Sequence, residues 1–541
     1  MAEKTREDDA PSQADTSLVS ASLASASSLV LLQLLSRVFT FVLNQALVRL
    51  VTPQVFGTAS IQFELLLSTI LFLSREGVRN ALLRSTENKA RPQQSALIYN
   101  ISLLPVLLGA PVAVASVCIY LFSSSATTAS QPHFHFSAVI YALAAFCELL
   151  SEPLYIRAQN ELRFDVRVRT EGSAVLMKTL VTFLALVSLS PDWALVAFAA
   201  GQAAYGLTML VGFLGAYGFR ARYWPEQVVA KVHDNTKTEY FDTKLLHLSM
   251  AMTGQSVIKH FLTEGDKFLV SRLSPLADQG GYAVASNYGS LVARIVFQPI
   301  EETSRLFFSK TLSSTTSNKW EDLQVAANVL TVLLLLFTHL FLLLVTFAPP
   351  YLSFALRLVL PARYLQTSAP AILRTYVYYI PTMAFNGILE AFFTSTATPA
   401  DLRAQSRWLL GFSACFVGTA ALLARGGGLG DTSLVWANAA NLCMRAFYAW
   451  MFAARFFCEQ GAGRLVHWRK AVPPVKVLVL FALAAAATRW SEATLGNKPL
   501  TLGAQIPHVF VGAACALACL AACVLWERKT FQDAYSLLRK R

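Results

Sequence analysis

The chain has 541 residues, 55% of them hydrophobic and 14% charged, with a formal net charge of +13. Soluble domains carry about 25% charged residues, so a water-soluble globular protein is excluded and a membrane-embedded one is expected. The basic excess then belongs to membrane topology, and nucleic acid is not an expected partner.

The first twenty residues are polar and mixed in charge, and no basic segment leads into a short apolar core. A cleaved signal peptide is therefore not expected. Apolar segments long enough to cross a bilayer then follow one another. The first six fall at 25–50, 55–74, 96–122, 136–156, 173–190 and 192–217, the last two separated only by "SPDW". The next six fall at 247–273, 280–300, 325–347, 368–394, 408–424 and 432–454, and two more at 472–488 and 503–526. The pattern predicts an all-α polytopic membrane protein of about 14 transmembrane helices.

The seventh span is the least apolar, because it contains "KHFLTEGDKFLV", Lys259 to Val270. Lysine and arginine accumulate in cytoplasmic loops. With fourteen spans, thirty of the 45 basic residues share one side, seven lie opposite and eight fall within spans. Without the seventh span, everything from Arg305 to Arg541 would lie on the wrong face. The stretch is therefore expected to cross the membrane, with both termini cytoplasmic.

Successive helical residues advance by about 100°. On that wheel Lys259, His260, Thr263, Glu264, Asp266 and Lys267 share one face of a continuous seventh helix. The first span carries a stripe of Gln33, Arg37, Thr40 and Asn44. The second carries Ser60, Glu64 and Ser68 with Arg75 at its end, and the eighth carries Asn287, Ser290, Arg294 and Gln298. Sliding the chain by 223 residues sets Thr40 on Thr263 and Arg49 on Arg272; with a small gap, Gly57 meets Gly281 and Glu76 meets Glu301. Spans one and seven run the same way, so two parallel six-helix repeats followed by two extra helices are expected. The domain expectation is a cytoplasmic tail 1–24, a bundle 25–218, a linker loop 219–246, a second bundle 247–454, two helices within 455–526 and a basic tail 527–541.

An ionised residue at mid-span costs at least about 2.5–3.5 kcal/mol, so polar faces on spans one, two, seven and eight imply a shared hydrated cavity. Arg37, Arg75, Lys259, Lys267 and Arg294 oppose Glu64, Glu264 and Asp266, and His260 can add a charge. The excess is cationic, which suits the phosphate oxygens of an anionic head group. Asn44, Asn287 and Gln298 add polar contacts. The bland alternative is that these charges pair and hold helices together. Glu64, Glu264, Asp266 and His260 are the candidates for pairing or for a coupling cation. Arg374 and Arg445 are read as structural, and Glu148 and Glu152, beside Pro153, as a local turn.

The eight cysteines lack C-x-x-C spacing and read as packing residues, and the two histidines of "HFH" (His133, His135) as solvated. There is no G-x-x-x-x-G-K-[ST] motif. No cofactor and no metal are expected.

The segments "SRVFTFVLNQALVRL" (36–50), "LFLSREGVRNALLR" (71–84), "ELLSEPLYIRAQN" (148–160), "FLTEGDKFLV" (261–270), "LVARIVFQPIEE" (291–302) and "WANAANLCMRAFY" (436–448) carry a resemblance. The chain resembles the eukaryotic oligosaccharide translocation proteins of the endoplasmic reticulum. That resemblance implies membership of the multidrug, oligosaccharidyl-lipid and polysaccharide exporter superfamily, with two helical bundles around a V-shaped central cavity. It also implies a non-enzymatic role in the endoplasmic reticulum membrane: moving dolichyl-pyrophosphate Man5GlcNAc2 to the lumenal leaflet for N-glycosylation. By position, Arg37, Arg75 and Arg294 are the implied pyrophosphate ligands. A monomer is expected.

Three rival functions bear on the same residues. A multispan glycosyltransferase would need acidic residues in a sizeable loop after the first span, and "LVTPQ" has none. A drug or cation antiporter would favour an acidic cavity. A non-transporting accessory or scaffold protein of the glycosylation pathway is compatible with the same sequence.

Overall fold

A computed structural model describes residues 42–84, 92–161, 163–219, 221–232, 235–313, 319–426, 430–495 and 502–528. We number the long helices in chain order. Helix α1 covers residues 42–50. Helix α2 is one continuous rod made of Pro53–Gly57, a widened π turn Thr58–Phe63, Glu64–Leu71, a second π turn Phe72–Glu76, and Gly77–Arg84. Thr52 starts it by accepting the N–H of Val55, with Pro53 in the first turn, where its missing N–H costs nothing. Helix α3 comprises Pro92–Ser102 and Leu104–Ser123, α4 comprises Phe134–Leu150 and Glu152–Asn160, α5 is Phe164–Ser188 and α6 is Ala194–Ala216.

Helix α7 is broken: α7a is Thr243–Thr263 and α7b is Gly265–Leu273. Helix α8 runs through Leu276–Val292, a π turn Ala293–Phe297 and Gln298–Ser313. The remaining helices are α9 (Lys319–Val359), α10 (Ala369–Thr396), α11 (Pro399–Gly426), α12 (Thr432–Glu459), α13 (Val475–Leu495) and α14 (Leu502–Trp526).

Among the described residues, nine helices are long and apolar enough to cross a membrane. They are α2 to α6, α9, α11, α13 and α14. The chain is thus an all-helical polytopic membrane protein. The seventh, eighth, tenth and twelfth expected spans also fall on helices, which carry too many polar groups to qualify by composition, and of the first only residues 42–50 lie within those described. Lipid accounts for the large apolar side chains left on the outside, such as Phe122, Leu422 and Phe510.

Two sequence expectations need correction. The seventh span is not one continuous helix, because the backbone at Glu264 leaves helical geometry (φ −100°, ψ 7°). The face of Lys259, Glu264 and Lys267 therefore cannot be read from a single wheel. At 21 residues α7a is already about 31 Å long. The linker 219–246 is not simply a loop. Val228–Val232 and Asn235–Glu239 form an antiparallel hairpin, β1 and β2, with Val228 opposite Glu239.

Asn100, fully buried at the end of the first segment of α3, ties that linker down. Its side-chain amide donates to the carbonyls of Glu226 and Tyr240, at 2.7 and 2.6 Å, and its oxygen accepts from the Glu226 N–H and from Arg222. Asn100→Ala should strand these groups, costing about 2–4 kcal/mol for two or more buried bonds. The readout is faster limited proteolysis within 219–246, and an unchanged rate would contradict the clamp.

The core is distributed unevenly. One end of the molecule has a single continuous core drawn from both halves of the chain. It includes Leu47, Phe63, Tyr141 and Phe198 from the first half, with Tyr282, Tyr364, Ile372 and Val435 from the second. The opposite end has two separate cores. Val78, Leu82, Ile101 and Phe213 form one, while Phe308, Leu330, Phe392 and Phe457 form the other. Helices α13 and α14 pack on α9 through a fourth, small core of Val477, Phe481 and Cys519. All eight cysteines are free, and Cys519 is buried.

Candidate substrate site

Helix α2 packs against α7a and α8. Where its first turns meet α8, the contact is backbone to backbone: a Cβ on Gly280 would collide with the carbonyl oxygen of Pro53. At its other end, Gly77 leaves room for Thr253 of α7a. Midway, Gln62 donates to Gln279 at 2.7 Å, and Thr69 bonds His260 at 2.9 Å with Phe72 against the imidazole. Helix α1 joins the group through Gln45, which bonds the Tyr288 hydroxyl and donates to the Val359 carbonyl at 2.9 Å. Helix α2 therefore adjoins both α7a and α8, and α1 adjoins α8.

A cavity lies beside that junction, inside the first half. It measures about 520 Å³. Asn44 of α1 and Glu64, Ser68, Phe72, Arg75 and Glu76 of α2 form one wall. Opposite stand Glu148 of α4, Lys178 and Thr179 of α5, and Gln202 and Tyr205 of α6. No described residue of α7 or α8 lines it.

The charges here are engaged. Arg75, in the second π turn of α2, donates to Glu148 at 2.6 Å and lies 3.8 Å from Glu152. One turn on, Arg79 grips Glu152 with two bonds of 2.6 and 2.7 Å, its guanidinium 4.0 Å from the Tyr155 ring centre. The carboxylates are placed by the break in α4: the Ser151 hydroxyl bonds the Glu148 carbonyl at 2.6 Å, and Pro153 starts the next helix. Glu148 and Glu152 are 6% and 1% exposed, so the arginines supply the counter-charge that solvent cannot. Lys178 stands 3.7 Å from Glu64.

The other expected site residues fall into three groups. Lys267 turns back to Glu264 at 2.8 Å, which pairs one cation of this stretch with one of its anions, and Asp266 accepts from Tyr282 of α8 at 3.1 Å. Asn287 is half-buried on α8, and Gln298 is exposed and donates to Glu302 at 2.9 Å. Arg37 lies outside the described residues. Lys259 lies in α7a and Arg294 in the π turn of α8, but their side chains are outside those described. Both Arg75 and Arg294 thus sit in π turns, a geometry frequent at functional sites. Of the residues read as structural, Arg445 pairs with Glu390 at 2.7 Å and Arg374 donates to Ser353 at 2.9 Å.

Sequence reasoning missed four participants. Glu148 and Glu152 do flank a local turn at Ser151, but they are counter-charges as well; their i, i+4 spacing, which matches Arg75 and Arg79, was the available signal. Lys178 and Gln202 are isolated polar residues in "SAVLMKTLV" and "FAAGQAAYG", which is unusual enough in a span to suggest a cavity.

Buried ion pairs around a polar cavity, within a polytopic helical shell, are the architecture of an intramembrane site, and the family and relatives given below make the chain a membrane transporter rather than an enzyme. Solved structures place its fold. The chain is similar to lipid II flippase MurJ in an inward closed conformation (TM-score 0.57, 13% identity, 92% of this chain and 99% of that one). It is also similar to a multidrug resistance MATE family transporter of the MOP superfamily in an inward-facing conformation (TM-score 0.53, 12% identity, 78% and 94%). The chain belongs to the Rft protein family, whose sequence model matches residues 21–537. Relatives include the Man(5)GlcNAc(2)-PP-dolichol translocation protein RFT1 of Yarrowia lipolytica, 35% identical over 84% of this chain and 72% of the relative. Those of Saccharomyces cerevisiae (30%; 81% and 83%) and Xenopus tropicalis (29%; 92% and 94%) bear the same name.

Proposed function

We propose that this chain translocates dolichyl-diphosphate-linked Man5GlcNAc2 from the cytosolic to the lumenal leaflet of the endoplasmic reticulum membrane, by alternating access. The names of its Rft relatives support the substrate. Fourteen spans with cytosolic termini, and halves at 25–218 and 247–454 joined by 219–246, remain our reading of the topology. Residues 455–526 would add the last two helices and 527–541 the basic tail.

The observation that carries the mechanism is the asymmetry of the core. In this topology the continuous core seals the lumenal end, while the two separate cores lie at the cytosolic end. Two rigid bodies joined at one end can rock about that joint, with α2 and α7a meeting across the other. The head group would enter from the cytosol and the prenyl chain would stay in lipid. Arg37, Lys259 and Arg294, with Lys267 if Glu264 releases it, are the cations proposed to meet the diphosphate. Arg75 is already held by two carboxylates and is proposed as a hinge residue as much as a ligand.

Reconstitution into liposomes with labelled lipid-linked oligosaccharide tests this. The protein should speed flipping over empty vesicles, and Arg37→Ala with Arg294→Ala should slow it at least tenfold if each contact is worth about 1.5–3 kcal/mol. Flipping no faster than in empty vesicles would favour an accessory role instead.

A further inference from the structure

The cavity of about 520 Å³ in the first half is poorly built for a diphosphate. Its cations are spoken for: Arg75 by Glu148 and Glu152, and Lys178 by Glu64. Glu76 accepts from Asn80 at 3.1 Å, and the three lining carboxylates would repel an anion. For a cationic ligand the same pairing leaves no lining carboxylate without a cation or hydrogen-bond donor.

What the cavity offers is neutral polar chemistry. Asn44, Ser68, Thr179, Gln202 and Tyr205 bring amide and hydroxyl groups to its wall, and Phe72 adds an aromatic ring. Gln202 is decisive. It is 1% exposed, and its side-chain carbonyl oxygen has no hydrogen-bond partner among the described residues. Such an orphan is costly unless a ligand supplies a donor. A diphosphate has only acceptors to give, whereas every sugar hydroxyl is a donor as well as an acceptor.

We propose that this cavity is a carbohydrate subsite that takes one or two pyranose rings of the glycan head group through Gln202, Thr179 and Asn44. The inference rests on the function proposed above, and it separates the sugar site, lined by α1, α2, α4, α5 and α6, from the cations Arg37, Lys259 and Arg294 proposed to meet the diphosphate. The volume is typical of a small-molecule pocket and too small for a seven-sugar glycan, so the remaining rings would lie outside it.

The test uses the full chain in lipid nanodiscs, with binding followed by saturation-transfer NMR. The probes are free N,N′-diacetylchitobiose, free α-mannobiose and inorganic pyrophosphate. At least one disaccharide should bind, Gln202→Leu should weaken it about tenfold, and pyrophosphate should not compete. If Gln202→Leu fails to fold, Thr179→Val serves in its place with the same expected loss. Absence of binding by both disaccharides, an unchanged affinity in a folded variant, or displacement by pyrophosphate would overturn the subsite. Sugar binding that fails while liposome flipping persists removes this inference alone. Flipping that fails in the unaltered protein removes the function proposed above.

Discussion

Glu152→Ala should destabilise the protein by about 3–5 kcal/mol, because it leaves the Arg79 guanidinium and part of the Arg75 environment without a counter-charge in a mostly buried site. Arg75 and Arg79 are only 20% and 18% exposed, so water cannot readily replace the carboxylate. The double variant Arg79→Met with Glu152→Met should recover most of the loss, since a well-packed apolar pair avoids the desolvation of both ions. Thermal unfolding in detergent, followed by tryptophan fluorescence, measures both. The same cycle on Arg75 and Glu148 tests how Arg75 is used. A coupling energy of several kcal/mol marks it as a strut between α2 and α4. If Arg75→Ala left stability intact and abolished flipping, direct contact with substrate would be the better account.

Gly280→Val is expected to destabilise the seam where α8 meets the first turns of α2. The new side chain would be driven into the carbonyl oxygen of Pro53, and backbone cannot move aside as a side-chain tip can. Overpacking of side chains costs about 1–3 kcal/mol, and a backbone collision should reach the upper part of that range. Under the alternating access proposed above, this strain has a specific outlet, which is separation of α2 from α8. A cysteine placed at Ala283, 4% exposed, should then react with a membrane-impermeant maleimide from the lumenal side in a cysteine-free background. Protection of that cysteine in a folded Gly280→Val protein would show that the contact is not part of the lumenal seal.

How much of this was readable beforehand depended on the range of the interaction. The apolar segments were legible because a span is a local property of about 20 consecutive residues. The neighbours of α2 were partly legible too, since the polar stripes on spans one, two, seven and eight had to face something other than lipid. The interruption at Glu264 was not. "TEGD" contains a glycine but no proline, and a helix wheel assumes the continuity it is used to test. The π turns at Phe72–Glu76 and Ala293–Phe297 have no sequence rule to announce them. Pairing of Arg75 with Glu148, 73 residues away, depends on which of several carboxylates the fold delivers to within 4 Å.

The sequence by itself determined the class of protein, the nine spans that recur among the described residues, and the family. Each of these follows from hydropathy, charge bias or extended similarity, which are sums over many residues and survive local error. Only the tertiary structure decided which charges cancel. It assigned Glu148 and Glu152 to the arginines of α2, folded Lys267 back on Glu264, and left Gln202 with an unused carbonyl beside a cavity. Coulombic and hydrogen-bond energies fall off over a few ångströms. A side chain's role is therefore set by neighbours that the linear order does not name.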